Sequence, residues 1–157
     1  MPELILTAEL VPSTSWYNNL RNVIAREDWD WIRGEVYAYY ESRCAICGVG
    51  GSLHCHEVWL YDDAAHTQTL EGFVALCPWC HHIKHLGYAG ILASEGKLDY
   101  RKLIAHFMKV NGCDKAAFDA HHKAAMQQWE KRSRHQWRVE LGEYAAIILP
   151  QRLGIRR

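Results

Sequence analysis

The chain has 157 residues, 49% hydrophobic and 23% charged, which suits one domain and excludes collagen-like, coiled-coil and largely disordered chains. No run approaches the roughly 18 to 20 consecutive apolar residues of a membrane span, and Glu3 and Glu9 sit where a signal peptide would be basic and apolar, so a cytoplasmic location is expected. The net charge of zero hides two opposed parts: residues 1–96 carry 5 Lys and Arg against 12 Asp and Glu, and residues 97–157 carry 13 against 6.

Residues 1–43 read as an arm followed by a helix. Pro2, Pro12 and Ser13-Thr14-Ser15 make the arm irregular, with Trp16 and Tyr17 as aromatic anchors. Trp29, Ile32, Val36 and Tyr40 then recur at helical spacing behind acidic residues. Residues 44–95 form the second part. A β-like run over residues 53–60, a polar connection over 61–69 and an apolar run over 73–76 predict a hairpin, followed by one helix from 81 to about 94. Residues 96–157 are helical and basic. Asp99 is an expected N-cap for a helix bearing Leu103, Ile104, Phe107 and Met108, which Asn111-Gly112 stops. Asp114 caps a longer one with Phe118, His122, Ala125 and Trp129 on one face, and residues 137–149 read as a strand or docked segment that Pro150 ends.

Four of the six cysteines stand as Cys44-x2-Cys47 and Cys77-x2-Cys80, separated by 29 residues. Two such knuckles place four thiolates around one tetrahedral ion with no open position, so a structural Zn²⁺ is expected, and with it folding energy for the segment it closes. A disulfide framework is the weaker alternative in a reducing compartment. Cys113 reads as a small packed residue between helices.

Six of the ten histidines fall between residues 54 and 85. In an extended run His54, His56 and Val58 face one side, and Leu53, Cys55, Glu57 and Trp59 the other. On a helix His81, Lys84 and His85 share a face while His82 points elsewhere. A strand imidazole facing a helix imidazole suits one divalent ion plus a general base, the equipment for hydrolysing a phosphodiester. Taken singly, His54 is as well explained as a hydrogen-bonded core residue, Asp62 and Asp63 as turn caps, and Trp29, Trp31, Trp129 and Trp137 as core.

Leu76-Cys77-Pro78-Trp79-Cys80-His81-His82-Ile83-Lys84, behind a first knuckle and a strand ending in a histidine, resembles the HNH endonucleases over residues 44–85. A bacterial and phage branch of that family is similar over most of the chain, through Trp16, Asn19, Leu20 and Arg21, residues 55–59, and Tyr61-Asp62-Asp63. The resemblance implies an α+β fold with a zinc-stapled ββα-metal, treble-clef-like core, flanked by the arm and helix and by the helical C-terminal part. It implies His56 as the base that deprotonates water, His81 as a ligand of a Mg²⁺-like ion, and Lys84 as a phosphate contact. Two positions depart from the family: Cys55 replaces the Asp or His before the base, and Gly72 replaces a loop Asn. The remaining ligand is then sought among His54, Cys55, His85, Asp62 and Asp63, or the ion is softer, Mn²⁺, Ni²⁺ or Zn²⁺.

The substrate implied is DNA, gripped at its phosphates by Lys123, Lys131, Arg132, Arg134 and Arg138, whose other reading is a solvated helix face. A homodimer would let one site per chain cut both strands. The alternative is a catalytically inactive zinc module that binds nucleic acid or a protein partner. A redox switch on Cys55 ranks third.

Overall fold

The structure is a computed structural model and describes residues 3–18 and 24–146. Asn19, Leu20 and Arg21 of the expected arm, and residues 147–149 of the expected tail, lie outside the described residues. The chain is mixed α+β, and no helix among the described residues is long and apolar enough to cross a membrane.

The arm is less irregular than its prolines suggest. Leu4, Leu6, Ala8 and Leu10 alternate inward, and Leu6 is fully buried in the main core. Extended backbone needs partners for its N–H and C=O groups, and distant side chains supply them. Asn111 Oδ1 accepts from the N–H of Ile5 and of Leu6, both at 2.9 Å, and its amide nitrogen donates to Leu6 O. His121 Nε2 accepts from Ala8 N at 2.9 Å, and Glu9 N donates to Lys84 O at 3.0 Å. A short 3-10 turn, Ser13–Asn18, follows.

Helix α1 (Arg26–Tyr39) starts with Glu27 and Asp28 against its N-terminal dipole and buries Ile32. Trp29 and Val36 pack beside Ile32, whereas Tyr40 only caps the end and Trp31 is half exposed rather than core. Strands β1 (His54–Asp62) and β2 (Thr67–Leu76) pair antiparallel from His54↔Leu76 to Asp62↔Thr67. The hairpin is therefore longer than expected. Asp62 Oδ1 accepts from Ala64 N and Ala65 N, tightening the reversal so that the supposed polar connection pairs as strand. Opposite Val58 and Trp59 the register shifts, leaving Glu71 as an extra residue between Gly72 and Leu70. Gly72 thus lies within a strand, where the family pattern expects a loop Asn. Strand β3 (Arg138–Glu140) adds to β2 in parallel.

The expected helix from residue 81 to 94 is two: α2 (Pro78–Lys84) and α3 (Leu86–Ser94), separated by His85 at φ −113°, ψ 54°. Cys80, Ile83, Lys84, Leu86 and Ala89 are all buried. On one straight helix they would span an arc far wider than an ordinary apolar stripe, so the chain turns at His85. Helix α4 (Tyr100–Asn111) has the expected Asp99 cap, and Gly112 ends it at φ +60°. Helix α5 (Lys115–Arg132) has the expected Asp114 cap but fully buries only Phe118, whose ring meets Phe107 at 5.1 Å. Leu103 and Phe107 of α4 pack with Leu76, Cys77, Cys80 and Ile83 into the main core, each large apolar side chain contributing about 1.5–3 kcal/mol.

Candidate metal centre

The four knuckle cysteines converge, with all four Sγ atoms within 4.8 Å of one another. Local backbone makes each knuckle. Gly48, at φ +78°, turns the first, where Gly48 N donates to Cys44 O, and Ala45 N donates to Ala75 O to tie that knuckle to β2. In the second, Pro78 occupies the first helical position and Cys77 Sγ accepts from Cys80 N at 3.4 Å. Cys47 Sγ and Cys77 Sγ are 3.6 Å apart, close to the roughly 3.8 Å expected between two thiolates on one tetrahedral ion. Burial raises the Cys44 thiol, but hydrogen bonds from the backbone of Cys47, Cys77 and Ile46 bring it down to about 7. Burial then holds Cys77 up to about 11 and pushes Cys80 up as well, with Cys44 charge adding to both. The Cys44 thiolate forms easily, whereas Cys77 and Cys80 resist ionisation until a cation shares the site. The donor set fits a metal ion such as zinc. His106, on α4, puts Nε2 3.2 Å from Cys80 Sγ.

A second cluster lies where β1 meets α2. His56, His81 and His85 each offer a ring nitrogen, and these lie within 4.8 Å of one another. Strand alternation turns His54 and His56 to one face, as expected, and the break after Lys84 leaves His85 beside His81, with ring centroids 4.8 Å apart. His54 Nδ1 and His81 Nδ1 share a hydrogen bond of 2.8 Å. With His81 as its donor, the His81 tautomer carries its lone pair on Nε2, the form that ligates a metal ion.

Glu9 completes the group from the arm. Its Oε2 lies 3.0 Å from His56 Nε2, and its Oε1 accepts from Lys84 Nζ at 2.7 Å. Burial alone would raise the Glu9 carboxyl, but the hydrogen bonds and charges of His56 and Lys84 bring it down to about 2. Accepting Nε2–H from a nearly buried His56 fixes the tautomer whose Nδ1 carries the lone pair.

Other expected residues go elsewhere. Cys55 is 3% exposed and packs with Ile24, Ile32 and Leu70 on the α1 side of the hairpin; it touches the lining of the pocket over the histidines but is not one of the three clustered donors. Asp62 holds the hairpin turn, and Asp63 accepts from Arg132 Nε and the guanidinium Nη2 at 2.8 and 3.0 Å. Lys84 is buried against Glu9 rather than presented for a phosphate. Arg132 is doubly held, by Asp63 and over the Tyr61 ring at 4.3 Å, and Arg138 pairs with Glu140. Lys123, Lys131 and Arg134 are exposed. Glu9 and His106 carry no spacing signal in the sequence, although the alternation of Leu4, Leu6, Ala8 and Leu10 marks the arm as a docked extended segment.

The histidines open into a pocket of about 840 Å³, within the roughly 300–1,000 Å³ of ordinary ligand sites. Its walls include Leu10, Trp59, Tyr88, Met126 and Trp129, so Trp129 is a pocket wall rather than core. No protein family, curated protein or solved structure matches this chain.

Proposed function

We propose that the protein is a metal-dependent endonuclease of HNH type that hydrolyses phosphodiester bonds of DNA. The convergence of His56 with His81 and His85, 25 residues or more away in sequence, carries this reading. The four-cysteine cluster is its structural zinc site, stapling the first knuckle and β2 to α2. His81 and His85 would hold the second ion, with His54 orienting His81. Imidazole donors suit Mn²⁺, Ni²⁺ or Zn²⁺ better than Mg²⁺.

A divalent ion held by His81 and His85 would supply the positive charge that stabilises the phosphate during the reaction. His56 Nδ1 takes a proton from water, whose oxygen attacks phosphorus as the bond to the 3′ oxygen breaks. Glu9 stabilises the imidazolium that results and keeps the ring in place. Lys123, Lys131 and Arg134 would contact flanking phosphates, giving a salt-dependent grip with weak sequence preference.

Nicking of supercoiled plasmid by zinc-loaded protein tests this in Mg²⁺, Mn²⁺ or Ni²⁺. Metal-dependent nicking that His56→Ala and His81→Ala abolish, with zinc retained, is the expected result. No nicking by zinc-replete wild type with any of these ions returns the chain to the alternative, a non-catalytic module.

A further inference from the structure

The pocket over the histidines carries groups that an ion site does not need. Gln68 and Ser15 both line it, each is 2% exposed, and Gln68 Oε1 and Ser15 Oγ have no hydrogen-bond partner among the described residues. A buried polar atom left unpaired destabilises the folded state, so a ligand that satisfies it explains its presence. Beside these atoms stand flat aromatic walls. Trp129 is held in place by its Nε1–H, which donates to Val11 O at 3.0 Å, and Trp59 is anchored on the second core. Arg132 adds a cation to the lining.

Aromatic walls, an amide oxygen, a hydroxyl and a nearby cation together suit a nucleobase. Its π faces find the indoles, and an exocyclic amino group or ring N–H reaches Gln68 Oε1. In an intact duplex those faces are stacked and those edges paired, so the base must leave the helix to enter. Gln68 pairs with Tyr61, five residues along β1 from His56, on the order of 17 Å of extended strand. The base it reads therefore lies near the scissile phosphate but not at it.

We propose that this pocket takes one unstacked base of the substrate strand, so that single-stranded or locally opened DNA is the preferred substrate. The assignment of substrate rests on the nuclease reading; the base site itself is measured without cutting. Zinc-loaded full chain, with no other divalent ion added, is titrated at one ionic strength with three fluorescent probes of equal length. They are a single strand with its bases, a strand of abasic units, and a blunt duplex. The base-bearing strand is expected to bind at least about tenfold tighter than the abasic one. Gln68→Leu is expected to close most of that gap while melting at or above the wild-type temperature, because it removes an unpaired acceptor. Equal binding of base-bearing and abasic strands, a duplex bound as tightly as the single strand, binding of no probe, or a gap unchanged in Gln68→Leu overturns the proposal. A base preference without plasmid nicking in any metal leaves the pocket standing and removes the nuclease reading instead.

Discussion

Glu9 and His56 are 47 residues apart in sequence, yet the carboxylate Oε2 and the imidazole Nε2 lie 3.0 Å apart. Glu9→Gln keeps an acceptor but removes the charge that stabilises a protonated His56. Plasmid nicking should fall about 10- to 100-fold, with bound zinc unchanged by metal analysis. Undiminished nicking would show that the contact only packs the arm.

The family resemblance puts Lys84 at the phosphate, and its burial against Glu9 gives it a structural part instead. Lys84→Met should lower stability in urea by about 1.5–3 kcal/mol, the scale of a charged hydrogen bond. A raised KM for DNA with unchanged stability would restore the phosphate role.

The contact between His106 Nε2 and Cys80 Sγ, 3.2 Å, orients that sulfur from outside the four cysteines. His106→Ala should weaken zinc about 10- to 100-fold in competition with a chromogenic chelator. Cys80→Ser should lose zinc and the folded 44–80 segment together, read by metal content and thermal melting.

His121 holds the arm by accepting from Ala8 N, which requires a neutral ring nitrogen. Burial, then the charges of Lys84 and His122, lower its pKa below 6.5. Above pH 6.5 the ring is neutral in folded and unfolded chains, and its full contribution is present. As pH falls below 6.5 the unfolded chain takes up a proton that the folded one resists, so stability declines toward the folded pKa. Thermal melts across pH 5 to 8 should show this fall, and His121→Gln, which still accepts but does not titrate, should flatten it.

The basic residues separate by partner. Lys131 and Arg134 are exposed, whereas Arg132 is committed to Asp63 and Tyr61. The Lys131→Ala, Arg134→Ala double variant should reduce the salt slope of DNA binding by about 2 with little change in stability. Arg132→Ala should instead lower the melting temperature, and a double variant with an unaltered slope would remove this helix end from the DNA contact.

Much of the site was legible because its signals are local. The paired knuckles, the alternation that puts His54 and His56 on one face, and the Asp99, Asp114 and Gly112 helix ends all depend on neighbours within a few residues. His85 was legible only as a face-mate of His81, since the break that places it comes from burial on both sides of residue 85. Cys55 illustrates the opposite case. Its family position before the base made it a candidate ligand, whereas the alternation already put it on the face opposite His56, where it packs in the second core.

By itself the sequence determined the four-cysteine cluster, the hairpin that carries His56 and the helix that carries His81, because turn geometry, strand period and helix caps act over short range. Only the tertiary structure decided that Glu9 reaches His56, that Lys84 is buried rather than presented, and that Gln68 and Ser15 line one pocket with the histidines. Those relationships need the arm to dock between α2, α4 and α5, through hydrogen bonds between Asn111, His121 and Trp129 and backbone more than 100 residues away. Contacts at that separation come from packing a common core, which leaves no period or spacing in the chain to read.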